Sequence, residues 1–185
     1  LSYYSDNYID PVTGRSSLAI MKNAYLTARE FVDTFADDFR NLFFYGDTGI
    51  GKTFLSNCVA KELMDQGYSV IYFTAFQLFD ILSKGVFDRD ADAIAAHQNI
   101  FDCDLLIIDD LGTELSGQFV TSALYSLINE RLLSGKATII STNLNNQALE
   151  ERYSPQILSR LRGSFRRVTF VGDDIRILKN KGVLE

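Results

Sequence analysis

The sequence predicts an α/β fold, a five-stranded parallel sheet with helices on both faces, and three observations carry that prediction. From Asn41 onward, short apolar runs alternate with longer amphipathic stretches, the order expected of strands joined by crossover helices. The runs, at 42–45, 70–73, 105–108, 138–141 and 168–171, are rich in Ile, Val, Phe or Tyr and are flanked by polar or turn-forming residues. Strands buried on both faces read this way. A glycine-rich octapeptide follows the first run directly and opens the first helix-like stretch of that series.

Taken in order, residues 1–11 are Tyr-rich extended chain, Thr13-Gly14 a turn, and 18–35 an amphipathic helix ahead of the first strand. Helices are predicted at 52–66, 76–84, 91–101 and 118–133, then a pair at 147–153 and 155–161. Ser154-Pro155 supplies an N-cap followed by proline at the first helical position, where its missing N–H costs nothing. The chain therefore divides into a lead-in segment at 1–40, a core at 41–182 and a tail at 183–185 that reads as an expression scar.

With 185 residues, 46% hydrophobic and 23% charged, the chain is large enough for one unit with a real core. No stretch approaches the roughly 18 apolar residues of a membrane span, so no membrane contact and a cytoplasmic location are expected. A net charge of −6 argues against a general polyanion-binding surface, which leaves only local contacts to nucleic acid. The contrary balance lies in Arg160, Arg162, Arg166, Arg167, Arg176, Lys179 and Lys181, set against Asp173 and Asp174. That cluster is either a solvated face or a phosphate or partner site. Cys58 and Cys103 stand in apolar surroundings and share no ligand spacing with the single histidine, His97, so buried, reduced thiols are expected and His97 is given no role.

The octapeptide Gly46-Asp47-Thr48-Gly49-Ile50-Gly51-Lys52-Thr53 satisfies G-x-x-x-x-G-K-[ST] between a strand and a helix. Its glycines let the backbone curl so that amides and a helix N-terminus point at the β- and γ-phosphates of ATP or ADP. Lys52 neutralises their charge and the Thr53 hydroxyl ligates Mg²⁺. The nucleotide-binding set runs from Gly46 to Thr53 and on to Phe54. Asp104-Leu105-Leu106-Ile107-Ile108-Asp109-Asp110 is an apolar strand ending in paired acids, and acids at a strand's carboxyl end face the ligand crevice of an open sheet. Asp109 would hold the Mg²⁺, directly or through water, and Asp110 would act as general base on the attacking water. One strand later, Asn143 in Ser141-Thr142-Asn143 stands where a polar group can bond the water or γ-phosphate; a turn or helix-cap role is the alternative.

With these motifs, together with Ile107-Ile108-Asp109-Asp110-Leu111-Gly112-Thr113-Glu114 and Leu124-Tyr125-Ser126-Leu127-Ile128-Asn129-Glu130-Arg131, the chain resembles the DnaC/DnaI/IstB group of AAA+ ATPases over residues 41–179. The resemblance implies a three-layer P-loop fold and a weak ATPase stimulated by DNA or assembly. It also implies self-association into rings or spirals, contact with single-stranded DNA, and a replicative DNA helicase as partner, gripped through an N-terminal region missing here. It carries the sensor role to Asn143. In Ser159-Arg160-Leu161 it marks Arg160 as the arginine finger for a neighbour's γ-phosphate, with Arg162 as rival. Many AAA+ relatives have Glu where Asp110 stands, and their helical lid is absent here or reduced to 173–180, with Arg176 a late phosphate or DNA contact. A helicase loader, an IstB-type transposition helper and a nucleotide-dependent binding switch with little turnover all remain open. No DNA-contacting residue is assigned; Tyr3, Tyr4 and Tyr8 are candidates to line the adenine pocket or simply to pack.

Overall fold

The computed structural model describes residues 1–87 and 91–180; Lys181, the 183–185 tail and part of the 84–90 stretch weighed for DNA contact lie outside them. Five strands, β1 (Leu42–Tyr45), β2 (Val70–Thr74), β3 (Leu105–Leu111), β4 (Ala137–Thr142) and β5 (Arg166–Thr169), form one sheet of order β2-β3-β4-β1-β5. All its pairings are parallel. Helices α1 (Ser17–Asp33), α2 (Lys52–Asp65), α3 (Ala75–Phe87), α4 (Ala91–Asp102), α5 (Gln118–Leu133), α6 (Asn146–Arg152), α7 (Pro155–Ser164) and α8 (Ile175–Asn180) complete it.

The period of two along each strand divides the core. Leu42, Phe44, Leu105, Ile107, Ile139 and Val168 pack under α1 and α2. Phe43, Leu106, Ile108 and Ile140 face the other way, toward α3, α5 and α7. Central strands buried on both faces are continuous apolar runs, which is why the sequence located them.

Two expectations are corrected. The last strand begins two residues early, at Arg166 rather than 168. As an edge strand it exposes Arg166 and Arg167, which an apolar-run criterion passes over; Arg166 reaches Glu30 at 2.8 Å and Arg167 stacks 3.7 Å over Tyr45. Cys103 is buried but Cys58 is exposed, because α2 turns Ser56, Val59, Ala60 and Leu63 inward and carries Cys58 on its outer side. Among the basic C-terminal residues, Arg162 pairs with Glu150, Arg166 with Glu30 and Arg176 with Asp174.

Candidate active site

Strand order reverses at β1, which sits between β4 and β5 although its own chain runs on to β2 at the far edge. Such a reversal opens a crevice beyond the carboxyl ends of the strands. A cavity of about 790 Å³ lies there, lined by Gly49, Gly51, Lys52, Thr53, Asp110 and Asn143 among others.

The loop from Gly46 to Gly51 is fixed by backbone demands. Gly49 has φ 79° and Gly51 φ 94°, a region L-residues rarely enter, and a Cβ on Gly49 would run into the Asp174 carboxylate. Asp47 and Thr48 form its crest, while Ile50 is buried beneath it, 1% exposed. Helix α2 starts at Lys52 with Gly51 as N-cap and no side-chain cap. Its first amides therefore lack intrahelical acceptors and present a positive end to an anion. Phe54, just inside that helix, is 73% exposed and lines the cavity.

Lys52 is the opposite of exposed, at 4%. Its ammonium donates to Gly46 O at 2.7 Å, Asp47 O at 2.5 Å and Asn143 Oδ1 at 2.5 Å. Burial pushes its pKa below the ordinary lysine value, opposed by Asp110, Asp109 and Asp47. The same Asn143 amide donates to Asp110 Oδ1 at 3.3 Å, so one side chain joins the cation to the acid. The helix-cap alternative falls to Asn145, which accepts from Ala148 N at 2.8 Å.

Asp109 and Asp110 diverge sharply although adjacent. Asp109 is buried and accepts from Thr53 Oγ1 at 2.9 Å and Tyr72 OH at 2.7 Å on Oδ2, and from the Ser141 hydroxyl on Oδ1. Asp110 sits where the β3–β4 register breaks between Ile108 and Leu111, at φ 55°. Asp tolerates that left-handed conformation better than most residues, and the turn aims its carboxylate into the cavity. Burial, then Asp109, raise its pKa above the ordinary carboxylate value, while Lys52, Asn143 and Arg176 pull it back.

Arg160 is not among the cavity-lining residues. On α7 it donates one 3.3 Å bond to Asn129 and lies 6.0 Å from the Tyr125 ring, beside a shallow depression of about 310 Å³. Arg162 instead makes an exposed 2.5 Å bond to Glu150. Of the three tyrosines, Tyr3 and Tyr4 line the cavity and Tyr8 does not; the Tyr4 hydroxyl donates to Ile50 O at 2.9 Å. Helix α8 flanks the loop: Ile175 N donates to Gly49 O at 3.0 Å, and Arg176, held to Asp174 at 2.8 Å, reaches the cavity wall.

Sequence reasoning gave no role to Tyr72, Ser141 or Glu114. Glu114 is buried and gathers Gly112 N at 2.8 Å, Tyr153 OH at 2.5 Å and Arg152 Nε at 3.1 Å, tying the turn after Asp110 to the end of α6. Burial, then Glu114, push the Tyr153 phenol well above its ordinary pKa.

The residues fit a magnesium nucleotide. An uncapped helix end, a cradle that a Cβ would fill and a buried ammonium collecting oxygens suit phosphates. Among the described residues no group of His, Cys, Asp and Glu makes a metal cage by itself. One hydroxyl and one carboxylate, Thr53 and Asp109, match a cation held partly by substrate phosphates.

A family model described as IstB-like ATP binding protein matches residues 23–180. The chain belongs to the IstB-like ATP-binding family. The IstB-like chain is also 24% identical over 155 residues to the replicative helicase loader DnaC of Escherichia coli K12, covering 83% of this chain and 63% of the loader's length. Its fold is that of AAA+ P-loop proteins: it superposes on the crystal structure of the DnaC helicase loader with TM-score 0.70 at 22% identity, over 92% of this chain and 97% of that one. The replication initiator DnaA, in a structure bound to AMPPCP and single-stranded DNA, matches with TM-score 0.72 at 24% identity, over 97% and 54% of the two chains. Among the described residues no helix is long and apolar enough to cross a membrane.

Proposed function

We propose that this IstB-like domain is the ATPase module of a helicase loader, which hydrolyses ATP at sites completed between subunits and thereby controls its hold on single-stranded DNA and a replicative helicase. One observation carries the reading: Lys52, Asp110 and Asn143 are joined around one cavity, while Arg160 stands apart from it on α7. The 24% identity to the E. coli loader supports the choice of loader among AAA+ functions.

In this mechanism the loop amides and Lys52 bind the β- and γ-phosphates. Mg²⁺, when bound at Thr53 and Asp109, supplies charge neutralisation. Asn143 orients a water molecule toward the γ-phosphorus, and Asp110 accepts its proton as the bond from phosphorus to the bridging oxygen breaks. Arg160 of the adjacent subunit stabilises the charge on the transferring group. Tyr3, Tyr4 and Phe54 line the same cavity, which supports a role in covering the base.

The test is ATP turnover against protein concentration, with and without single-stranded DNA, with Arg160→Ala as control. Specific activity that rises with concentration and is lost in Arg160→Ala supports intersubunit catalysis. Nucleotide binding without turnover at any concentration reduces the domain to a binding switch. A second reading, the transposition helper, is favoured by the family model itself; stimulation by duplex rather than single-stranded DNA would select it.

A further inference from the structure

Asp109 and Asp110 are neighbours in sequence, yet their backbones part company with the sheet between them. The β3–β4 register breaks after Ile108, and the turn at Asp110 removes its N–H from the ladder. A buried amide left without an acceptor is costly. The acceptor is Ser141 Oγ, fully buried on β4, at 2.9 Å. The same hydroxyl has one hydrogen to give, and it gives it to Asp109 Oδ1. A single polarised chain results, from the Asp110 amide through the Ser141 hydroxyl to the Asp109 carboxylate.

The other carboxylate oxygen is held from the opposite side. Tyr72, on β2, donates its phenol to Asp109 Oδ2 at 2.7 Å, beside the 2.9 Å bond from Thr53 Oγ1. A carboxylate offers about four lone-pair sites, and three hydroxyls, from β2, α2 and β4, fill three of them. Each donor has a separate consequence. Thr53 points its hydrogen at Asp109 and so turns its oxygen lone pairs outward, where a cation can use them. Tyr72 and Ser141 keep the carboxylate from rotating away from that task.

Resting on the ATPase reading, we infer that Ser141 and Tyr72 are positioning residues of the reaction. Tyr72 sets the Asp109 carboxylate for the Thr53-bound cation. Ser141 does the same and also fixes the backbone turn that aims Asp110 at the attacking water. Neither touches substrate. Ser141 therefore serves both acids, and Tyr72 serves one.

The experiment uses the full chain with a fluorescent ATP analogue. Its affinity is measured in EDTA and across a Mg²⁺ titration, and kcat is measured in parallel, for the wild type, Tyr72→Phe and Ser141→Ala. Removing partners of metal-site groups typically costs about 10–100-fold in metal affinity or activity. Both variants are expected to keep the EDTA affinity within about twofold, with the Mg²⁺ half-saturation raised about tenfold or more. Only Ser141→Ala is expected to lose kcat at saturating Mg²⁺. A wild type that responds to Mg²⁺ together with variants that titrate like it overturns the inference and leaves the ATPase reading standing. Affinity lost equally in EDTA and Mg²⁺ also overturns it, since that is general disruption. A wild type whose nucleotide affinity ignores Mg²⁺ defeats both.

Discussion

Lys52 and Arg160 are two cations assigned to the same phosphate, yet they are held in opposite ways. Lys52 is 4% exposed and makes hydrogen bonds of 2.7 Å or shorter to Gly46, Asp47 and Asn143. Arg160 is half-buried on α7, with one 3.3 Å bond to a neutral amide. A lysine so enclosed is organised before any ligand arrives, and burial has already lowered its pKa. An arginine so loosely held keeps its fork of donors for something else. The contrast suggests that the cavity half of the site is built by one chain and the arginine half is offered to another.

The sharpest way to break that comparison is a mixing experiment. Lys52→Ala and Arg160→Ala are each expected to lose about 10³-fold in turnover, the scale of an arginine supplied in trans. In an equal mixture about a quarter of random interfaces pair an intact Lys52 with an intact Arg160, and turnover should return. A mixture as inactive as its components would place both groups in one subunit's site or neither. Next in size is binding: Lys52→Ala removes charge-assisted contacts worth at least about 3 kcal/mol together, roughly 150-fold in Kd, whereas Arg160→Ala should leave Kd unchanged in dilute protein. Calorimetric titration of both variants decides it.

Glu114 links the two halves, since it holds the turn after Asp110 and the end of α6, which leads into α7. Glu114→Ala strands the half-buried Gly112 amide and the buried Tyr153 hydroxyl at a cost of about 2 kcal/mol, about 5 °C in Tm for a chain of this size. An unchanged melting curve would remove Glu114 from the account.

The remaining effects are on pH. Burial and Asp109 raise the Asp110 pKa, so before Mg²⁺ binds its carboxyl should titrate above the ordinary value of 3.8, as followed by NMR. Titration at or below that value would remove the burial and Asp109 effects from the account. The smallest effect belongs to Asp104, away from both halves. Hydrogen bonds from Ser69 and Lys136 hold it down to about 2. Its folded pKa is depressed, so its stabilisation is present above the ordinary value and lost as pH falls toward 2. Because the group is over a third exposed, Asp104→Asn should cost under about 1 kcal/mol near neutrality and progressively less as pH falls through 2, as read by denaturant titration.

What the sequence disclosed and what it withheld follow from one distinction. The residues from Gly46 to Thr53 are contiguous, and their spacing alone predicts a phosphate cradle. Asp109, Asp110 and Asn143 each end an apolar strand, a position visible in one dimension. Ser141 and Tyr72 acquire their roles only through sheet register, where Thr74 aligns with Asp109 and the β3–β4 pairing slips past Asp110. No local pattern encodes that slip. The edge strand at Arg166 was misplaced for a related reason: its polar residues find partners on α1 and β1, far away in sequence.

The Tyr4 hydroxyl on Ile50 and the Ile175 amide on Gly49 tie segments from opposite parts of the chain to adjacent links of one loop. Lys179 lies 5.3 Å from the Tyr3 ring, so these two segments also meet each other. In mechanical terms the phosphate cradle is the knot between two cords: tension on either is delivered to the same few peptide units, and a change in the cradle's shape slackens or tightens both.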